Sequence, residues 1–186
     1  MKYVALLRGI NVGGKNMIKM EALRATFTAL GYASVASYIN SGNLIFECRS
    51  PHISKGVTDI SAEAEIAAKI HDAIVKDFGF DISVMVRSMA EIARIISDSP
   101  FEGQFENDKD LHVFFLAEEL SDEHSEFLLA KNSDAEMISI KGRTIYYLLR
   151  ISIIDSALGK GFIDKKLKVP ATARNWRTIN KIIEFS

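Results

Sequence analysis

The run Gly9-Ile-Asn-Val-Gly-Gly-Lys15-Asn16 carries the residue types that hold phosphate. It follows the phosphate-loop order G-x-x-x-x-G-K-[ST] at every position but the last, where Asn16 replaces the hydroxyl residue. Glycines let backbone N–H groups turn toward an anion, a following helix adds positive potential at its N-terminus, and Lys15 supplies a charge. Three features oppose triphosphate hydrolysis. Asn16 lacks the hydroxyl that holds Mg²⁺. The next helix is expected to begin near Ile18 or Lys19, leaving Lys15 ahead of it. No second acidic metal site follows, Glu118 being the nearest candidate. Anion binding of another kind and a purely structural turn both stay open.

A second polar cluster, Asn40-Ser-Gly-Asn43, reads as a tight turn in which Gly42 supplies positive φ for a two-residue hairpin loop. Ser41 lacks the G-x-S-x-G setting of a nucleophile, and no catalytic base is identifiable. A third cluster lies near the C-terminus, in "TARNWRTINKI". Read as a helix capped by Thr172, it places Arg174, Arg177 and Lys181 on one face and Trp176, Ile179, Ile182 and Ile183 on another. The basic row fits either a phosphate or nucleic-acid contact or a solvated face. His52, His71, His112 and His124 show no zinc-helix spacing, and Cys48 is the single cysteine, so neither a metal site nor a cofactor is expected.

The elements that must position these residues follow from hydrophobic period. Residues 2–8 read as a buried strand and 18–30 as a helix with Met20, Leu23, Phe27 and Leu30 on one face, ended by Gly31. Residues 34–39 and 43–48 read as a hairpin. A loop spans 49–60. A helix over 61–78, capped by Ser61, carries Ile66, Ile70, Ile74 and Phe78 inward, and 81–88 is a strand. The order β-α-β-β-α-β is that of a ferredoxin-like unit. A helix at 88–98, a strand at 111–117, a helix at 121–131 and strands at 135–140 and 143–150 follow. The remainder reads as helical, loosely up to Leu167 and firmly from Ala171. The expectation is an α+β chain with a ferredoxin-like subdomain, 1–88, and a second, similar subdomain, 89–186. In such a unit the loop after the first strand and the turn after the second emerge at one sheet edge. That brings Arg8, Asn11, Lys15, Asn16, Asn40, Ser41 and Asn43 together.

Apolar runs of four or five residues are too short for a membrane span of about 20. No secretory leader is recognisable, and with one cysteine a soluble cytoplasmic protein is expected. The net charge of −1 hides an uneven distribution. Residues 1–24 hold five bases and one acid, residues 141–186 ten and three, and residues 90–140 three and thirteen. Such asymmetry marks either an anion-binding face or mutually facing patches.

The blocks "YVALLRGINVGGKNMIKMEALR", "YINSGNLIFE" and "ATARNWRTINKI" together resemble the bacterial family known as domain of unknown function 1697, over essentially the whole chain. The resemblance implies an α+β protein and supplies no reaction. It implies that the blocks holding Arg8, Gly9, Asn11, Gly13, Gly14, Lys15, Ser41, Gly42, Asn43, Arg174, Asn175 and Trp176 are the family's signature. This chain carries Asn40 where the family pattern often has Gln. The expected ligand is a phosphorylated small molecule or nucleotide at 9–16 beside 40–43, bound by Arg8, Asn11, Gly13, Gly14, Lys15, Asn16, Ser41, Asn43, Arg174 and Asn175. The alternatives are an RNA- or protein-interaction module on the basic C-terminal helix and an enzyme acting on a phosphorylated metabolite. No membrane partner is expected. The aromatic signature of RNA-binding sheets is missing from the strands, which disfavours RNA.

Overall fold

The computed structural model of the chain describes residues 1–49, 59–152, 156, 158 and 162–186. It is an α+β fold built on two four-stranded antiparallel sheets. By contact density the chain forms two compact units, Met1–Ala93 with Lys181–Ser186, and Arg94–Asn180.

In the first unit the elements are β1 (Lys2–Leu7), α1 (Met20–Ala29), β2 (Ala33–Tyr38), β3 (Asn43–Glu47), α2 (Asp59–Phe78), β4 (Val84–Ser88) and the start of α3 (Met89–Ser97). The sheet order is β2-β3-β1-β4, the ferredoxin-like arrangement. β3 pairs antiparallel with both β1 and β2, so β1 and β2 point the same way. Alternation on β1 sends Tyr3, Ala5 and Leu7 into the core, where they meet Phe46, Leu44 and Val86 of the neighbouring strands. Leu23 and Phe27 of α1 and Ile66, Ile70 and Ile74 of α2 close it. Each fully buried side chain of this size contributes about 1.5–3 kcal/mol. α1 stops because Gly31 takes φ +85°. Its amide bonds Thr28 O at 2.9 Å and the Tyr32 amide bonds Phe27 O at 3.3 Å, the paired bonds of a Schellman cap.

One local expectation changes here. α2 begins at Asp59, so Ser61 lies inside the helix and does not cap it. Glu63, also within α2, is buried and accepts the Ser88 amide at 2.8 Å, near the buried Arg87. Arg87 Nε reaches Glu91 at 3.1 Å and its Nη1 donates to Val86 O at 2.8 Å. Residues 50–58 of the expected loop lie outside the described residues.

The second unit contains β5 (Leu111–Leu116), α4 (Asp122–Leu129), β6 (Glu136–Lys141), β7 (Thr144–Leu149), a π-helical turn (Ile163–Leu167), β8 (Ala171–Asn175) and part of α5 (Trp176–Ile183). The order β6-β7-β5-β8 repeats that of the first sheet. Ser121 caps α4 by accepting the His124 amide at 3.2 Å. The core gathers Leu116, Leu128, Ile138, Ile145, Tyr147 and Ile163. The buried Tyr147 hydroxyl donates to the Glu136 carboxylate and accepts the Leu158 amide at 3.4 Å; burial pushes its pKa up to about 12.

The C-terminal reading is corrected. Residues 171–175 are a strand, pairing with β5 through His112↔Asn175, Phe114↔Ala173 and Leu116↔Ala171. Thr172 therefore sits in mid-strand, and Asn175 caps α5 by accepting the Thr178 amide at 2.9 Å. Of the stretch expected to be loosely helical, Ile163–Leu167 forms a single π-helical turn, while residues 153–155, 157 and 159–161 lie outside the described residues.

Candidate functional site

β1 ends at Leu7 and α1 starts at Met20, so the loop between them has to turn back at the sheet edge. It does so through five left-handed residues: Gly9 (φ +64°), Asn11 (+55°), Gly13 (+58°), Gly14 (+74°) and Asn16 (+47°). Glycine and asparagine are the residues that enter this region at low cost. Val12 and Lys15 pair as an isolated bridge, with Lys15 N to Val12 O at 3.1 Å, and Asn11 N to Asn16 O at 3.2 Å closes the next rung. The Gly-Gly pair is thus the tip of a miniature hairpin, with both central residues at positive φ. A phosphate loop would run straight into a helix. Here a hairpin intervenes, and the sheet is antiparallel.

Asn11 holds the edge together. Its Nδ2 donates to Ile18 O and to Asn40 O, each at 2.9 Å, and its Oδ1 accepts the Ile18 amide at 2.8 Å. Leu7 N bonds Gly42 O at 2.8 Å. The loop and the turn are therefore neighbours, as the strand order requires. Asn16 Nδ2 donates to Gly9 O at 3.2 Å. Arg8 is half-buried and its amide bonds Ser83 O at 3.0 Å.

The turn itself differs from expectation. Tyr38 pairs with Asn43, so Ile39–Gly42 form a four-residue loop, and Ile39 has left the strand with φ +49°. Gly42 is buried at φ +83°, and a Cβ there would lie 2.7 Å from Leu7 Cβ and 3.0 Å from two Ile10 atoms. Asn43 is fully buried, its Nδ2 donating to Tyr38 O at 3.0 Å and Ser41 Oγ at 3.2 Å. These two residues shape the turn from inside.

What faces solvent is the hairpin tip. Gly13, Gly14 and Lys15 are exposed. Among the described residues no hydrogen bond or ion pair reaches the Lys15 ammonium, and the Gly13 and Gly14 amides have no acceptor. Val12, Met17 and Ile39, next in the chain to the loop and turn residues, are exposed as well, and sequence reasoning passed over them. The only signal for them was an apolar residue on either side of a glycine-rich or asparagine-rich turn.

Arg174 and Asn175 belong to the second unit. Arg174 is buried in β8, with Nη1 donating to Thr172 Oγ1 at 2.9 Å and to Ala173 O at 2.8 Å; burial lowers its pKa to about 10. It does not share a helical face with Arg177 and Lys181, and Lys181 instead pairs with Glu184 at 2.8 Å. Asn175 is committed to the α5 cap through both the Thr178 amide and hydroxyl. Among the described residues no three His, Cys, Asp or Glu side chains converge as a metal ion would need, and no helix is long and apolar enough to cross a membrane.

The fold has a solved counterpart. A structure titled as that of the conserved bacterial protein SP0830 from Streptococcus pneumoniae aligns over 98% of this chain and 97% of its own, at 28% identity and a TM-score of 0.73. No curated protein matches the sequence. Residues 1–146, which include the whole loop–turn edge, match the family described as protein of unknown function DUF1697, and the chain belongs to that family.

Proposed function

We propose that the loop–turn edge of the first unit binds the anionic group of a phosphorylated small molecule or nucleotide at the Gly13–Gly14–Lys15 tip. The observation that carries this reading is the exposed Lys15 ammonium, without a partner among the described residues, beside two amides without acceptors. A phosphate oxygen there gains charge-assisted hydrogen bonds that a neutral ligand would not. Asn11 and Asn16 hold the tip in shape through their bonds to the loop backbone and do not meet the ligand. The row of bases on one C-terminal helix, on which an RNA- or protein-binding reading rested, is broken by the strand at 171–175.

A thermal-shift screen with nucleotides and phosphorylated metabolites tests the proposal. A specific ligand at a hundredfold excess over its Kd stabilises the fold by about 2.7 kcal/mol. Lys15→Ala is expected to remove the shift while leaving the melting temperature of the free protein unchanged, since the side chain is exposed. A ligand whose shift survives Lys15→Ala binds elsewhere and sinks the reading.

A further inference from the structure

In the second unit two phenyl rings and an ammonium meet at the surface. Phe127 of α4 and Phe162, which precedes the π-helical turn, lie nearly parallel, with ring centroids 6.1 Å apart and 10° between their planes. The Lys131 ammonium stands over both, 4.7 Å from the centre of the Phe127 ring and 5.1 Å from that of Phe162. Phe162 packs against the core of the unit, whereas Phe127 is 46% exposed. Helical spacing brings each ring its own lysine. Lys131 follows Phe127 by four residues, and Lys166 follows Phe162 by four, close to one turn of a π-helix. Ile163 and Leu167 of that turn are buried, so Phe162 and Lys166, each one position earlier, form the row beside them. Lys166 is exposed, as are its neighbours Lys165 and Lys168.

These charges are not neutralised within the chain. Among the described residues no hydrogen bond or ion pair reaches the ammonium of Lys131, Lys165, Lys166 or Lys168, and the nearby acids of α4, Asp122, Glu123 and Glu126, pair with none of them. A lysine held on a ring face keeps N–H groups free for an acceptor. We infer that this cluster is the docking site of an acidic segment of a partner protein. An apolar side chain of the segment rests on Phe127 and Phe162, and its carboxylates meet Lys131 and Lys166. Charge complementarity decides the occupant, and the aromatic pair supplies the apolar anchor that rim charges alone lack. A nucleic acid fits less well, because base stacking needs a bare ring face and the ammonium stands over both rings. The surface belongs to the second unit and does not depend on the anion reading of the first.

The test selects binders of the full chain from a display library of random short peptides and keeps those lost on the double variant Phe127→Ser, Lys166→Glu. The lost peptides are expected to carry an excess of Asp and Glu around a Leu, Phe or Trp. One of them, made synthetically, should move the NMR ring signals of Phe127 and Phe162 and bind more weakly as salt rises. Lys166→Glu alone, at an exposed position that leaves the rings in place, should weaken it by about tenfold or more, since a like charge then faces the carboxylates. This single variant also carries the comparison if the double variant does not fold. Selection of no such peptide, of peptides without an acidic excess, or of peptides that leave the ring signals unmoved overturns the inference. Ring signals that move with the concentration of the chain itself assign the surface to a second copy, and signals that move with a single-stranded oligonucleotide but not with the peptide assign it to nucleic acid; either result overturns it as well.

Discussion

The imidazole of His71 lies between two carboxylates, with Nε2 at 2.9 Å from Asp81 and Nδ1 at 3.2 Å from Asp72. Its pKa is raised above 6.5, first by the hydrogen bond to Asp81 and then by that to Asp72. The stability this pair contributes is present in full below 6.5 and is lost as pH rises through the folded-state value. His112 in β5 behaves in the opposite sense. Burial lowers its pKa, so the folded protein resists protonation that the unfolded chain accepts, and stability is lost as pH falls below 6.5. NMR titration of the two C–H signals is expected to place His71 above and His112 below the ordinary value. His71→Gln should flatten the decline in urea midpoint above 6.5 and leave the decline below it. A single titration shared by both rings would refute the assignment. Lys15 belongs to this scale too, since its proposed role rests on one exposed ammonium.

At the scale of elements, the turn between β2 and β3 is the most constrained piece of the candidate site. Gly42→Ala has to accommodate a Cβ 2.7 Å from Leu7 Cβ at a positive φ. A loss of roughly 2–4 kcal/mol in chemical denaturation is expected, combining backbone strain with overpacking. Asn175→Ala should cost about 1 kcal/mol through the lost α5 cap. An unchanged midpoint for Gly42→Ala would show that the turn can open without cost. The elements best read from sequence were those with a strong apolar stripe, such as Leu23 and Phe27 in α1 and Ile66, Ile70 and Ile74 in α2, together with the Gly31 stop. β8 was illegible because Ala-Thr-Ala-Arg-Asn alternates only small alanines with polar residues and favours helix locally; pairing with β5 overrides that preference. The site was legible as an edge, because strand order alone joins loop to turn. Its tip was not. The letters argue against a phosphate loop through Asn16 and the late helix start, yet they do not show that the glycine pair forms the apex of a hairpin, and Ile39 reads as a strand residue by every propensity.

Over the whole molecule the charges nearly cancel, with a net of −1 and an isoelectric point near 6.4. The net charge therefore supplies no overall attraction for a polyanion, and any contact with one has to come from a local basic patch. At physiological ionic strength, about 0.15 M, a gel shift with single-stranded RNA is expected to show no complex. A shift that Arg177→Ala removes would restore the C-terminal helix as a binding element. The shared strand order of the two sheets carries a consequence in time. In each, the strand made first, β1 or β5, ends up in the interior, and the hairpin made next occupies one edge. The partners Tyr38 and Asn43, or Lys141 and Thr144, meet by closing a short loop, whereas Leu7 must wait for Val84. Local pairing has the smaller entropic toll. Refolding is therefore expected to start at the two edge hairpins and to finish when the oldest strand of each sheet slides in between neighbours younger than itself.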